Sequence, residues 1–189
     1  MSFSKLIYTF LILVIMGTGY YLYDKSADEN QQVEPSEEAP MFTGQNVYNI
    51  SYDETGLRKY KLYSVHIEYY SQDGRTEFTK PKLIVYQEGN PKIEEWHVIS
   101  DDAVLNDEHE LTLIGNVVAK NQIPGSTFDS LKTERMLVNL DTKDFSTNTK
   151  VTMVGPQFTN VGNAMKGNFG TNVATLFNKA KGIYETNTP

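Results

Sequence analysis

One short pattern recurs along this chain, and it limits the fold more than any other feature. Segments 62–69, 98–105, 131–138 and, more loosely, 169–176 each read apolar, any, small polar, any, any, apolar, any, apolar. Leu62, Ser64, Ile67 and Tyr69 mark the first, and Val98, Ser100, Ala103 and Leu105 the second. Leu131, Thr133, Met136 and Val138 mark the third, and Phe169, Thr171, Ala174 and Leu176 the fourth. With starts at 62, 98, 131 and 169 the units recur every 33 to 38 residues, a spacing of repeat architectures. Each unit is too small to bury its own apolar face and needs its neighbours.

Between these units no stretch shows a period of 3.6. Short alternating runs are separated by turn signals at 53–56, Asp73-Gly74, 88–91, 106–108 and Pro124-Gly125. Asp73-Gly74 is a hairpin signal because both central residues of a type I′ turn need positive φ. Abundant Tyr and Phe with common Thr, Val and Ile lean the same way. The expected class is all-β, an antiparallel sandwich, barrel or jelly roll. Alternation puts Leu62 and Ser64 on one face and, after a break or bulge, Ile67 and Tyr69 on one. Leu111 pairs in the same way with Leu113, and Val151 with Met153. Gly115 and Gly155, each closing such a run, predict a bulge or sharp bend.

Ahead of this region lies an apolar run, Leu6–Tyr23, with no charge inside it. As a helix it would reach about 27 Å, close to the hydrocarbon thickness of a bilayer. Lys5 before it and Asp24 after it orient the N-terminus to the cytoplasm. A cleaved signal peptide is the alternative, because Leu6 to Met16 suits its apolar region and Gly17 and Gly19 its cleavage site. Tyr20, Tyr21 and Tyr23, placed as an interfacial belt, favour the anchor. Residues 24–40 are acidic and nearly devoid of apolar side chains, a flexible tether. The expected organisation is therefore anchor 1–23, tether 24–40 and domain 41–189.

The chain has no cysteine, which excludes disulfides and thiolate metal sites. Its net charge of −7 argues against nucleic acid and against a polybasic hold on lipid. His66, His97 and His109 sit on separate units with no metal-binding spacing. Neighbours such as Asp101-Asp102 point to opposite faces of a strand and cannot converge on one substrate atom. No nucleophile elbow and no phosphate loop occurs. The sequence predicts no enzyme, no metal and no cofactor. Its abundant aromatic and aliphatic residues form either an ordinary core or a groove between sheets that holds a lipid, and composition alone does not separate the two.

Particular residues carry a resemblance. Tyr60-Lys61-Leu62, His66-Ile67-Glu68-Tyr69-Tyr70-Ser71 and Phe78-Thr79-Lys80-Pro81-Lys82-Leu83 are similar to the LptC family of lipopolysaccharide export proteins. So are Trp96-His97-Val98, Leu113-Ile114-Gly115-Asn116-Val117, the strand ending at Gly155, and Met165-Lys166-Gly167-Asn168. The resemblance implies a jelly-roll-like V of two antiparallel sheets after a single N-terminal transmembrane helix. It implies an inner-membrane protein whose main domain is periplasmic. That domain accepts lipopolysaccharide from LptB with LptF and LptG and passes it to LptA. A structural β-sheet adaptor with no lipid in its own core is the alternative.

By motif match, the resemblance places Phe78, Ala174 and Tyr184 on the lipid path; alternation adds Ile67 and Tyr69. It makes 178–184, with Lys179, Ile183 and Tyr184, the edge that meets LptA, and 47–52 the strand that faces LptF. Gly115 and Gly155 are expected to be structural. Ile114 stands where relatives can carry an aromatic, so no aromatic role transfers to that position.

Overall fold

The computed structural model describes residues 39–184 together with Val14 and Thr18. Val14 and Thr18 are helical, and Thr18 Oγ1 donates to the Val14 carbonyl at 2.7 Å. The rest of the expected anchor and nearly all of the expected tether lie outside the described residues. Among those described, no helix is long and apolar enough to cross a membrane.

Among the described residues fourteen strands follow, all within the unit Glu38–Pro189. They are β1 (Phe42–Tyr52), β2 (Arg58–Tyr69), β3 (Thr76–Thr79), β4 (Lys82–Gln87), β5 (Asn90–Ile99), β6 (Asp102–Leu105) and β7 (Glu110–Asn121). After them come β8 (Ser130–Asn139), β9 (Asp144–Thr147), β10 (Val151–Gly155), β11 (Phe158–Gly162), β12 (Ala164–Asn168), β13 (Val173–Phe177) and β14 (Lys181–Tyr184). The fold is all-β and antiparallel, as the alternating runs predict. Four of the five turn signals fall between strands; the fifth, 88–91, turns at Glu88-Gly89 and has Asn90 and Pro91 already in β5. Asp53 Oδ1 accepts from the Thr55 and Leu57 amides, each at 2.9 Å, to close the turn from β1 to β2. Gly74, at φ 68°, lies between β2 and β3, which pair as the expected hairpin. Asp73 does not share the positive φ, so the loop, closed by the Tyr70 amide on the Arg75 carbonyl at 2.9 Å, is not a type I′ turn.

The strands form one hydrogen-bonded network, but the long strands change partners midway. Residues 60–63 of β2 pair with β4, whereas 66–69 pair with β3. In β7, 111–114 pair with β6 and 118–121 with β5. In β8, 130–133 pair with β10 and 137–138 with β9. The network therefore folds into two sheets along a line of corners. The first sheet holds β4, β5, β10, β11 and β14, and the second β3, β6, β9, β12 and β13. Strands β1, β2, β7 and β8 run through both.

The recurring sequence pattern has its cause at these corners. Ser64 Oγ donates to the His66 carbonyl at 2.7 Å, Ser100 Oγ to that of Asp102 at 2.8 Å, and Thr133 Oγ1 to that of Arg135 at 3.4 Å. In three units the small polar residue thus binds the carbonyl two residues on, where the ladder hands the chain from one sheet to the other. The fourth unit departs, because Thr171 lies in the turn between β12 and β13. Left-handed residues supply the remaining bends: Asn46 at φ 51°, Lys80 at 52°, Gly115 at 76° with Asn116 at 47°, and Asn178 at 54° with Lys179 at 63°.

Directly opposed residues share a face. In the first sheet Leu62, Leu83, Val98, Ala119, Leu131 and Met153 form one continuous inward row. All six are buried. Leu111 with Leu113 and Val151 with Met153 face inward as expected, although the two pairs lie in opposite sheets. Part of the interior is filled by aromatic rings. Trp96 packs at 5.2 Å on both Phe128 and Phe169, and Phe169 at 4.3 Å on Phe145. Trp96 Nε1 donates to Asn172 Oδ1 at 3.0 Å, so the buried indole keeps a partner.

Candidate lipid groove and its edges

Of the five expected lipid-path residues, four lie on the inner face of the second sheet. Ile67 opposes Phe78, which opposes Ala103 and through it Leu113 and Met136. Tyr69 stands one row further along. That row runs through Thr76, Leu105, Leu111, Val138 and Phe145 to Gly167 and ends at Ala174. Ile67 is buried, while Phe78, Tyr69 and Ala174 are half-buried. Tyr69 stacks on Phe42 with centroids 5.2 Å apart. Tyr184 occupies the other sheet, where its backbone opposes Phe158. The five do not form one cluster: Tyr69 lies next to the Phe42 end of a single row and Ala174 closes its other end.

A cavity of ≈ 380 Å³ opens between the sheets at the C-terminal end, bounded by Met153, Asn160 and Gly182 on one side and Ala174 and Leu176 on the other. Of these only Ala174 was expected. Asn160 occupies an inward position, opposing both Met153 and Gly182, and its Oδ1 is buried without a hydrogen-bond partner among the described residues. Alternation around 158–162 could have put Asn160 inward, but its polar side chain hides that signal.

Among the described residues both ends of the network are open. Strand β1 pairs with β2, β14 with β11 and β13 with β12, each on one side. The expected edge at 178–184 is an edge strand over 181–184, and Ile183 is 71% exposed there. Lys179, exposed and left-handed, sits in the bend before it. Missing from the sequence expectation is β13, an equally open edge in the second sheet with Val173 and Phe177 exposed. The C-terminal edge is thus a bent pair of strands reaching across both sheets.

The two glycines differ. Gly115 needs its left-handed φ, and a Cβ there would come within 2.9 Å of Asp101 Oδ2. Asp101 binds Lys80 Nζ at 2.5 Å and Asn116 Nδ2 at 2.6 Å, and those two bonds, Lys80 first, hold its carboxyl below the usual range. Gly155 instead precedes the tight turn to β11, and a Cβ there would strike the Phe158 ring. Each histidine faces its own carboxylate: His66 with Glu68 at 3.3 Å, His97 with Glu94 at 2.7 Å and His109 with Asp141 at 2.8 Å. Among the described residues no three such ligands gather to hold a metal.

The sequence matches the family described as lipopolysaccharide-assembly, LptC-related, over residues 9–185. The chain belongs to the LptC family. It is 29% identical over 174 residues to the lipopolysaccharide export system protein LptC of Escherichia coli strain K12, covering 92% of this chain and 89% of that one. Against the LptC protein of Haemophilus influenzae it is 28% identical over 190 residues, covering 93% and 90%. A solved structure of LptH, the LptA-homologous periplasmic component of the lipopolysaccharide transport device of Pseudomonas aeruginosa, aligns over 79% of this chain and 98% of that one. The TM-score is 0.47 and the identity 6%. Membership of the LptC family ties the chain to lipopolysaccharide transport and sets it apart from enzymes.

Proposed function

We propose that the chain is a membrane-anchored segment of the lipopolysaccharide bridge. It takes lipopolysaccharide from an inner-membrane extractor of LptB, LptF and LptG, carries the acyl chains between its sheets, and hands them to LptA. Residues 6–23 are the anchor, with a cytoplasmic N-terminus, and the strands stand in the periplasm. The observation that carries this proposal is the pairing network: two sheets enclose an apolar interior, and a bent, open edge terminates them at each end.

An apolar interior answers a definite need. At about 0.8 kcal/mol per buried CH₂, one dodecyl-like chain costs on the order of 10 kcal/mol to expose to water. A multi-chain lipid therefore needs a lining at every step. Open edges are aggregation hazards unless a partner pairs with them. In the bridge they become joints by β-augmentation, β1 toward LptF and β13–β14 toward LptA. A photo-crosslinker replacing Phe78 or Ala174 should capture lipopolysaccharide only while the ATPase runs, and one replacing the outward-facing Thr175 should not. Capture confined to Thr175 would overturn the proposal.

The structural adaptor remains a second reading because of one observation, the dense packing of Trp96, Phe128, Phe169 and Phe145 within the interior. It gains if the purified chain shows no saturable lipopolysaccharide binding while retaining its contact with LptA.

A further inference from the structure

The net charge of −7 hides a segregation that strand register reveals. On the outer face of the first sheet, one row passes from Ile50 through Lys61, Ile84, His97 and Lys120 to Val154 and Ile183. The next row carries Tyr48, Tyr63, Lys82, Ile99, Lys132 and Lys181. These two rows hold five lysines and no carboxylate. None of the five lysines makes an ion pair with the described residues. The nearest carboxylates on that face are Glu94, which is engaged by His97, and Glu134, two residues along β8 from Lys132. The corresponding rows outside the second sheet carry Glu68, Glu77 and Asp102 against Arg135 and Lys166. One outer face is basic and the other mixed, contrary to the absence of a basic face that the net charge suggests.

We infer that the outer face of the first sheet docks on an anionic phospholipid surface. Charge complementarity is the first ground: unpaired lysines in register meet a negative headgroup layer. Chemistry between the lysines is the second. Tyr48 is 62% and Ile99 46% exposed, and Lys61 Nζ lies 5.0 Å from the Tyr48 ring centroid. Tyrosines and aliphatic side chains among snorkelling lysines suit a headgroup interface, whereas a rigid polyanion would favour arginine. A shallow cavity of ≈ 350 Å³ lined by Val118, Lys132, Lys150 and Thr152, and by one carboxylate, Glu134, gives a phosphate-bearing headgroup a seat where two lysines outnumber the acid. The inference rests on the anchored reading, because the 18 residues from 24 to 41 hold β1 within about 60 Å of an inserted helix. At that effective concentration a weak face suffices.

The chain has no cysteine, so single labels are clean. Full-length protein carrying a fluorophore at Ser130→Cys or at Thr175→Cys is placed in nanodiscs whose lipids bear a headgroup quencher. With about 30% phosphatidylglycerol, quenching at position 130 should exceed that at 175 by about threefold or more. It should fall to parity in pure phosphatidylcholine or at about 0.5 M salt. The triple variant K82A/K120A/K132A should shift docking toward the free state by on the order of 100-fold, at about fivefold per lysine. K82R/K120R/K132R should keep the contrast, which separates lost charge from lost folding. Equal quenching at the two positions, or quenching indifferent to phosphatidylglycerol, overturns the inference and leaves the lysine rows to an acidic protein. Retention of the chain in nanodiscs at high salt reads the anchor separately, so the two failures are distinguishable.

Discussion

Ser64 Oγ lies 2.7 Å from the Thr79 carbonyl and 2.7 Å from that of His66, binding β2 to the end of β3 where β2 leaves one sheet for the other. The side chain is 1% exposed, so water cannot replace it. Ser64→Ala should therefore lower unfolding free energy by about 1–3 kcal/mol in denaturant titration. Ser64→Thr should cost less, since Thr133 fills the equivalent place in β8. Equal losses for Ala and Thr would mean that volume, not the hydroxyl, matters at this corner.

Gly155 and Phe158 oppose each other across the turn from β10 to β11, leaving no room for a Cβ. Gly155→Ala should cost about 1–3 kcal/mol by overpacking, and Gly155→Val more. Phe158→Leu removes the ring that the new methyl strikes, so the double variant should recover part of the loss. A strictly additive double-mutant cycle would show that the ring is not the obstacle.

Much of the fold is legible in the sequence because its signals are local. Asp53, Gly74 and Asn106 make turns through their own chemistry, and Leu111 or Val151 alternates visibly with its neighbours. Ser64, Ser100 and Thr133 mark the recurring unit, but their purpose depends on strands far away in sequence. The likeness of 111–115 to 151–155 shows the limit. Gly115 enters a corner and Gly155 a hairpin turn, and only the strands paired beside them decide which. Register has the same long-range character. It alone brings Lys61, Lys82, Lys120 and Lys132 onto one face, and it alone makes β13 an edge.

Acid should loosen the surface clasps in a definite window. Hydrogen bonds from Lys80 and Asn116 lower the Asp101 pKa, and those from Asn168 and Thr142 lower that of Asp144. A carboxyl whose folded pKa lies below its unfolded value stabilises fully above that value and loses the contribution as pH falls through the folded one. The ordinary value for an aspartate is 3.8. The thermal midpoint should accordingly fall on acidification below about pH 4. Asp101→Asn should flatten part of that fall. Both clasps are solvent-exposed, so raised salt should weaken their share.

Ile183 opposes Thr159 on the outermost strand of the first sheet and is 71% exposed. A charge at that position disturbs little within the folded chain, so Ile183→Asp should change unfolding free energy by no more than about 0.5 kcal/mol. If β14 is the joint to LptA, the same change should sharply reduce co-purification with LptA, because an edge that receives a strand tolerates an inserted carboxylate poorly. Because β13 continues the edge in the second sheet, Phe177→Asp should add to the defect, while Tyr48→Asp on β1 at the opposite end should leave LptA binding intact. Undiminished co-purification of the Ile183→Asp, Phe177→Asp double variant would remove this edge from consideration as the joint.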